Sequence, residues 1–312
     1  MFILVHMLGL QWGLAGAGLC VAWGWARPEA RRAHAAGAFA LAAYLLSLGM
    51  LGAAGPAMGP GYHATMLVLA FTLALLWVGY AWLARHPPRS PPFVVRSQAE
   101  EVVWVNGATA RGRRPAAHVL GAMVATAVHA VAIVLAARHL SLWFAAKDPL
   151  RAIVPQLLWL SLAAALLSAS VLQALAFYGL GLIGWRADPD EPAGEHDLRQ
   201  AARVTTTAAW ILPATLLRMI AIGLSLGVGA AFDPVSPRHF WDTVLTTSYQ
   251  FLTLRLVLGL LLPLVMAILA LLAAREGHAR HAVQQFLPLS ILIVISEVLA
   301  AGLTVGLWGI AL

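Results

Sequence analysis

The chain reads as an all-α integral membrane protein, a bundle of eight transmembrane helices with both termini outside. Three observations predict this. Hydrophobic residues make up 61% of the 312 positions and charged residues only 11%, a balance that belongs to polytopic membrane proteins. Apolar windows of about 20 residues recur, the length that crosses a hydrocarbon core of ~30 Å. Basic residues concentrate in alternate loops, as the positive-inside rule requires of a chain that weaves through a membrane.

The eight predicted spans are residues 2–26, 34–54, 63–85, 118–140, 152–182, 207–231, 245–273 and 287–311. No stretch of soluble-domain size remains, so residues 1–312 form one polytopic membrane domain. The first span has no basic residue ahead of it and continues into Arg27, which predicts a retained helix rather than a cleaved signal. Gly9, Gly13, Gly16 and Gly18 on span 1, and Gly223 and Gly227 on span 6, predict close helix approach. The fifth span is long enough to tilt.

The loops after spans 1, 3, 5 and 7 carry 14 basic residues and the alternate loops carry four. Both termini are thereby expected outside, which is the periplasm if the membrane is the inner membrane of a Gram-negative bacterium. The formal charge of +7 follows from this topology and calls for no nucleic-acid partner. The bilayer itself is the expected environment.

Two inner loops stand out. Residues 86–117 hold five prolines around Phe93–Val105, which predicts extended chain. Residues 186–204 carry Asp188, Asp190, Glu191, Glu195 and Asp197 and read as a solvated acidic loop. Each is either a tether or a docking surface for a partner. On the outer side, residues 233–242 contain two prolines and the Phe240–Trp241 pair, which suit a fixed interfacial structure or the start of a helix.

Four ionisable side chains fall where charge is most costly. His129, Arg218, Arg255 and Glu297 lie near the middle of apolar spans, where a charge costs about 2.5–3.5 kcal/mol even on the lenient insertion scale. Such groups face a bundle interior and pair, or they serve a proton, an ion or a polar ligand. Arg255 and Glu297 sit on adjacent spans at similar depth and are expected to pair, with Arg218 sharing the carboxylate. The resulting positive pocket suits a quinone carbonyl, whose reduction develops negative charge. A packing role for the pair is the plainer alternative. Pro213 lies just below Arg218 and is expected to loosen span 6. Gln173 is expected to join helices by hydrogen bonds.

No haem is expected. His118 and His129 share a face of span 4, but no other span offers a histidine level with His129. His6, His63 and His139 lie toward the outer edge and read as interfacial, although His6 and His63 leave an outer-leaflet haem open. The single cysteine, Cys20, excludes an internal disulfide and any iron–sulfur cluster held by this chain alone, and no metal-ligand motif is present.

The second half resembles the membrane anchor subunits of the dimethyl sulfoxide reductase family, which belong with the polysulfide-reductase-type quinone-interacting subunits. The resemblance rests on the Leu254–Pro263 run with its arginine at Arg255, on Glu297 central in the last span (Ile295–Leu299), and on the eight-span topology. It departs from the family pattern at Ala300 and Ala301, where a basic residue is common, and His139-Leu140-Ser141 is at best a displaced echo of the family's His-Leu-Gly element.

The resemblance implies an anchor subunit without a catalytic centre of its own. It would exchange electrons between menaquinol or ubiquinol and an iron–sulfur subunit, with a molybdopterin catalytic subunit completing the complex. Glu297, Arg255 and Arg218 would handle quinone and protons, with His63 and His129 as weaker contributors. A proton-coupled secondary transporter is the competing class, drawing on Pro213 and Pro263 as helix breaks. A haem b electron carrier is the third.

Overall fold

The computed structural model describes residues 2–25, 30–53, 59–85, 93–96, 102–105, 117–147, 155–182, 195–231, 235–246, 253, 256–276 and 279–296. Helices α1 (Phe2–Trp25), α2 (Ala30–Ala53), α3 (Pro60–Arg85) and α4 (Ala117–Lys147) come first, followed by α5 (Pro155–Gly181) and α6 (Glu195–Ala231). A short α7 (Pro237–Thr246) precedes a π-helical turn at Val257–Leu261, which runs into α8 (Leu262–Arg275). Helix α9 opens at Ala279–Gln284 and continues as an apolar helix to Ser296. Among the described residues, seven helices are long and apolar enough to cross a membrane. The chain has the character of a multi-pass α-helical membrane protein.

Helices α1 to α4 close into a four-membered ring, α1 packing on α2 and α4, and α3 on α2 and α4. Helix α5 lies against α1 and α4, α6 against α5, and α8 and α9 against α6. The sequence of α3 shows why it sits as it does. Tyr62, Met66, Leu73, Trp77 and Tyr80 recur at helical spacing and are buried, while Val68, Phe71, Leu75, Val78 and Trp82 form the opposite stripe and are exposed. An exposed apolar stripe of this length suits lipid rather than water.

Small residues set the closest contact, as their spacing predicts. A Cβ on Gly9 would come within 2.7 Å of the Ser47 side chain, and one on Gly16 within 3.0 Å of the Ala40 backbone nitrogen. Helix α1 therefore meets α2 nearly backbone to backbone. On α6, Gly223 and Gly227 have nothing within 4 Å of a built Cβ among the described residues. Gly16→Leu should destabilise the purified protein by about 1–3 kcal/mol, the cost of overpacking a close contact, whereas Gly227→Leu should be neutral. Thermal unfolding in detergent separates the two, and equal melting temperatures would contradict the packing.

Three sequence expectations change. The acidic segment is not all loop, because α6 begins at Glu195 and carries Asp197, Arg199 and Arg203 within it. Acidic residues suit a helix N-terminus, whose partial charge is positive, and Gln200 anchors this turn by donating to the Leu182 carbonyl (3.1 Å). Within the proline-rich segment after α3, Phe93–Arg96 pairs antiparallel with Val102–Val105, Phe93 opposite Val105. The chain there is extended, as predicted, but paired into a hairpin. Finally, α6 runs unbroken through Pro213.

Residues 237–246 form a short helix, one of the two forms expected of this segment. Ser236 caps it by accepting from the His239 amide (3.0 Å), Pro237 fills its first position, and Phe240 packs with Ala230 and Leu226 of α6. The described part of the seventh span is Val257–Arg275, and residues 247–252 and 254–255 of the predicted span lie outside the described residues. Pro263 explains the π turn. It cannot donate to Gly259, and its ring clashes with that carbonyl. The chain widens instead, so that the Leu262 amide bonds Val257, five residues back.

Candidate functional site

Two polar clusters lie inside the helices, one in the second half of the chain and one in the α1–α4 ring. The first centres on Arg218. It lies 13 residues before the end of α6 at Ala231, about 20 Å along the helix, and is only 1% exposed. No larger side chain in the described structure is so fully enclosed. Its Nη2 donates to Ser296 Oγ at 3.4 Å, which ties α6 to α9.

Gly259 makes this convergence possible. A Cβ there would run into the Ser296 hydroxyl and lie 3.6 Å from Arg218 Nη2. The π turn thus brings bare backbone against the two side chains, a placement common at functional sites. Thr215, one turn below Arg218, is buried with its hydroxyl oxygen unpaired among the described residues. Ser290, on the same helix as Ser296, donates to the Phe286 carbonyl (2.8 Å). Arg255 and Glu297 lie outside the described residues, so their expected pairing is not visible. The described chain does bring Arg218 to the residue immediately before Glu297.

The second cluster lies toward the ends of α1, α2, α3 and α4. His6 is buried within the bundle. Its Nδ1 donates to the Ser47 carbonyl (3.0 Å), with Ser47 Oγ 2.7 Å from the same nitrogen, and the Tyr62 hydroxyl donates to its Nε2 (2.7 Å). His139 stacks on the Tyr62 ring at 4.4 Å. Sequence reading placed His6 and His139 near the same edge but left Ser47 and Tyr62 out. The available signal was that His6 and Tyr62 each lie within the first turns of their helices.

His63 faces backbone carbonyls through both ring nitrogens, Gly59 at 2.8 Å and Leu51 at 3.1 Å. It secures the α2–α3 turn, where Gly59 takes the left-handed conformation (φ 75°) that favours glycine. With His6 held by Ser47 and Tyr62, the nitrogens of these two histidines are directed to protein groups rather than toward one another.

Deeper in the ring, His129 is completely buried, and neither ring nitrogen has a hydrogen-bond partner among the described residues. Its neighbours are Tyr44 (5.6 Å between ring centroids), Trp77 (6.4 Å) and the bare backbone of Gly13. An unpaired buried polar group costs about 1–3 kcal/mol, so packing alone is a poor reason for an imidazole here. Gln173 also lacks a partner among the described residues and does not act as the expected interhelical bridge there.

The predicted residues therefore separate. Arg218 belongs to the α6–α8–α9 side, and His63 and His129 belong to the ring, against which α6 makes no extensive packing. Among the described residues no group of three or more histidine, cysteine or acidic side chains is placed to hold a metal ion. No protein-family model, no curated protein and no solved structure matches this chain.

Proposed function

We propose that this protein is the quinone-interacting anchor subunit of a respiratory oxidoreductase in the bacterial inner membrane. Eight spans with both termini outside would hold it there. Its partners are an iron–sulfur subunit and a molybdopterin catalytic subunit, and its substrate is menaquinol or ubiquinol. One observation carries this reading: a fully buried arginine, Arg218, meets Ser296 beside the π turn, one residue from Glu297.

The chemistry follows from those groups. A guanidinium fixed in a water-poor interior donates to a carbonyl and favours negative charge developing there. Ser296 holds the guanidinium toward the α8–α9 side. Thr215 supplies a further hydroxyl one turn away. Glu297 is the base that takes or returns the proton, and Arg255 balances its charge. The ring cluster of His129, His6, Ser47, Tyr62 and His139 offers groups for moving protons toward the outer side. The resemblance of the second half to anchor subunits points the same way.

The transporter alternative draws on broken helices. Helix α6 is continuous at Pro213, so that argument retains only the π turn before Pro263.

Two measurements test the proposal. A tagged chain purified from native membranes should bring down an iron–sulfur protein and a molybdopterin-type subunit, whereas a chain recovered alone would overturn the anchor reading. Glu297→Gln should abolish quinol-linked turnover while leaving the complex assembled. Undiminished turnover would remove Glu297 from the mechanism.

A further inference from the structure

A groove of about 540 Å³ lies between α1, α5 and α6, within the roughly 300–1,000 Å³ typical of ligand cavities. It is apart from both clusters described above. Its walls are almost entirely apolar, and small residues (Gly18, Ala22, Ala174) leave the room. The lining runs from Ala22 to Leu14 on α1, from Tyr178 to Ser170 on α5 and from Ala202 to Trp210 on α6. Each stretch covers eight residue steps, about 12 Å of helix. The groove is therefore a slot about as deep as one leaflet's hydrocarbon. Trp210, 62% exposed at its deep end, leaves it open to the surrounding lipid.

One end is charged. Arg203 lines the groove one turn below Gln200, which bonds the end of α5 at Leu182. That level marks the limit of the apolar part of α5, which ends at Gly181. Arg203 is thus at the boundary between hydrocarbon and headgroups, where an arginine lays its stem along apolar surface and presents its charge outward. The same end holds a second cation. Arg32 donates to the Gly181 carbonyl (2.6 Å) and lies over the Trp23 ring (5.0 Å), which stacks at 4.3 Å on Tyr178 of the lining. Asp197, the nearby acid on α6, is exposed and does not line the groove.

We infer that this groove holds one acyl chain of an anionic phospholipid, with the phosphate at Arg203. A single chain fits a narrow apolar slot one leaflet deep, and a cationic end selects a negative headgroup. An isoprenoid tail would suit the slot equally well, but a neutral quinone head offers Arg203 no anion. The lipid fills the gap between α6 and α1 beside the packed α5–α6 seam, and so joins the half of the chain that carries Arg218 to the four-helix ring.

Native mass spectrometry of the full chain, extracted into mild detergent and exchanged against phosphatidylglycerol or phosphatidylcholine, tests this. One phosphatidylglycerol should stay bound per chain, at least tenfold in preference to phosphatidylcholine. Arg203→Gln should lose that preference and Arg203→Lys should keep it. Ala174→Phe, which fills the slot and leaves the charge in place, should lose the lipid too and decides the matter if Arg203→Gln does not accumulate. Equal retention of the two lipids, or retention of phosphatidylglycerol by either slot-filled or charge-less variant, would overturn the inference. So would recovery of a quinone in place of phospholipid.

Discussion

Arg218→Ala is expected to cut quinol-linked electron transfer by at least about a hundredfold per assembled complex. Removing one preorganised donor to a developing negative charge costs about 2.7–4 kcal/mol in enzymes that depend on it. Under the proposed function Arg218 would be such a donor, for it is fully buried, held toward Ser296, and set where the π turn brings bare backbone close. Arg218→Lys should retain part of the rate, because it keeps the charge but not the planar fork. The measurement is quinol-dependent reduction of the iron–sulfur partner in membrane vesicles, divided by the amount of assembled protein. That ratio matters. An arginine that only locks helices would lower the amount of protein and leave the rate per complex unchanged, and such a result would sink the proposed role.

Gly259→Leu is expected to do comparable damage by a different route. The new side chain would occupy the space of the Ser296 hydroxyl and push α9 from the turn that precedes α8. Overpacking of this kind costs about 1–3 kcal/mol, and here it also separates Arg218 from Ser296. A paired substitution makes the test sharp. Gly259→Ala alone should weaken both stability and turnover, because its Cβ meets Ser296 Oγ and lies 2.9 Å from Ser296 Cβ. Gly259→Ala combined with Ser296→Gly moves the missing volume across the contact and should recover much of the stability. Thermal unfolding of the single and double variants reads this directly. Additive losses would show that the two positions do not share one space.

Most of the helices were legible because lipid and water impose opposite demands over long stretches. Six of the predicted spans coincide with helices α1 to α6 to within a few residues at most ends. Where reading failed, the local signal was ambiguous. The acids at Glu195 and Asp197 serve a loop or a helix start equally well, and the difference lay in Gln200 reaching the end of α5. Proline likewise does not announce its effect. Pro213 sits in an unbroken helix, while Pro263 widens the chain into a π turn.

The candidate site was half legible. Arg218 was marked by cost alone, since charge within an apolar span rarely lacks a purpose. Its contact with Ser296, and the role of Gly259 in allowing it, join residues 78 positions apart in the sequence. The His6–Ser47–Tyr62–His139 cluster is of the same kind. Each member is unremarkable on its own helix, and histidines near a span end read as interfacial until their neighbours are known.

The amino-acid sequence by itself determined that this is a multi-pass helical membrane protein, which segments are apolar enough to cross, and which ionisable groups are too costly to be incidental. Those properties depend on composition within about 20 consecutive residues, the scale at which the bilayer acts. Only the tertiary structure decided which helix faces which: that α1 closes on α2 through Gly9 and Gly16, and that Arg218 turns to Ser296. Among leucine-rich helices in lipid, hydrophobicity does not distinguish one neighbour from another. Helix pairing is settled by the fit of small residues and buried polar groups across the contact.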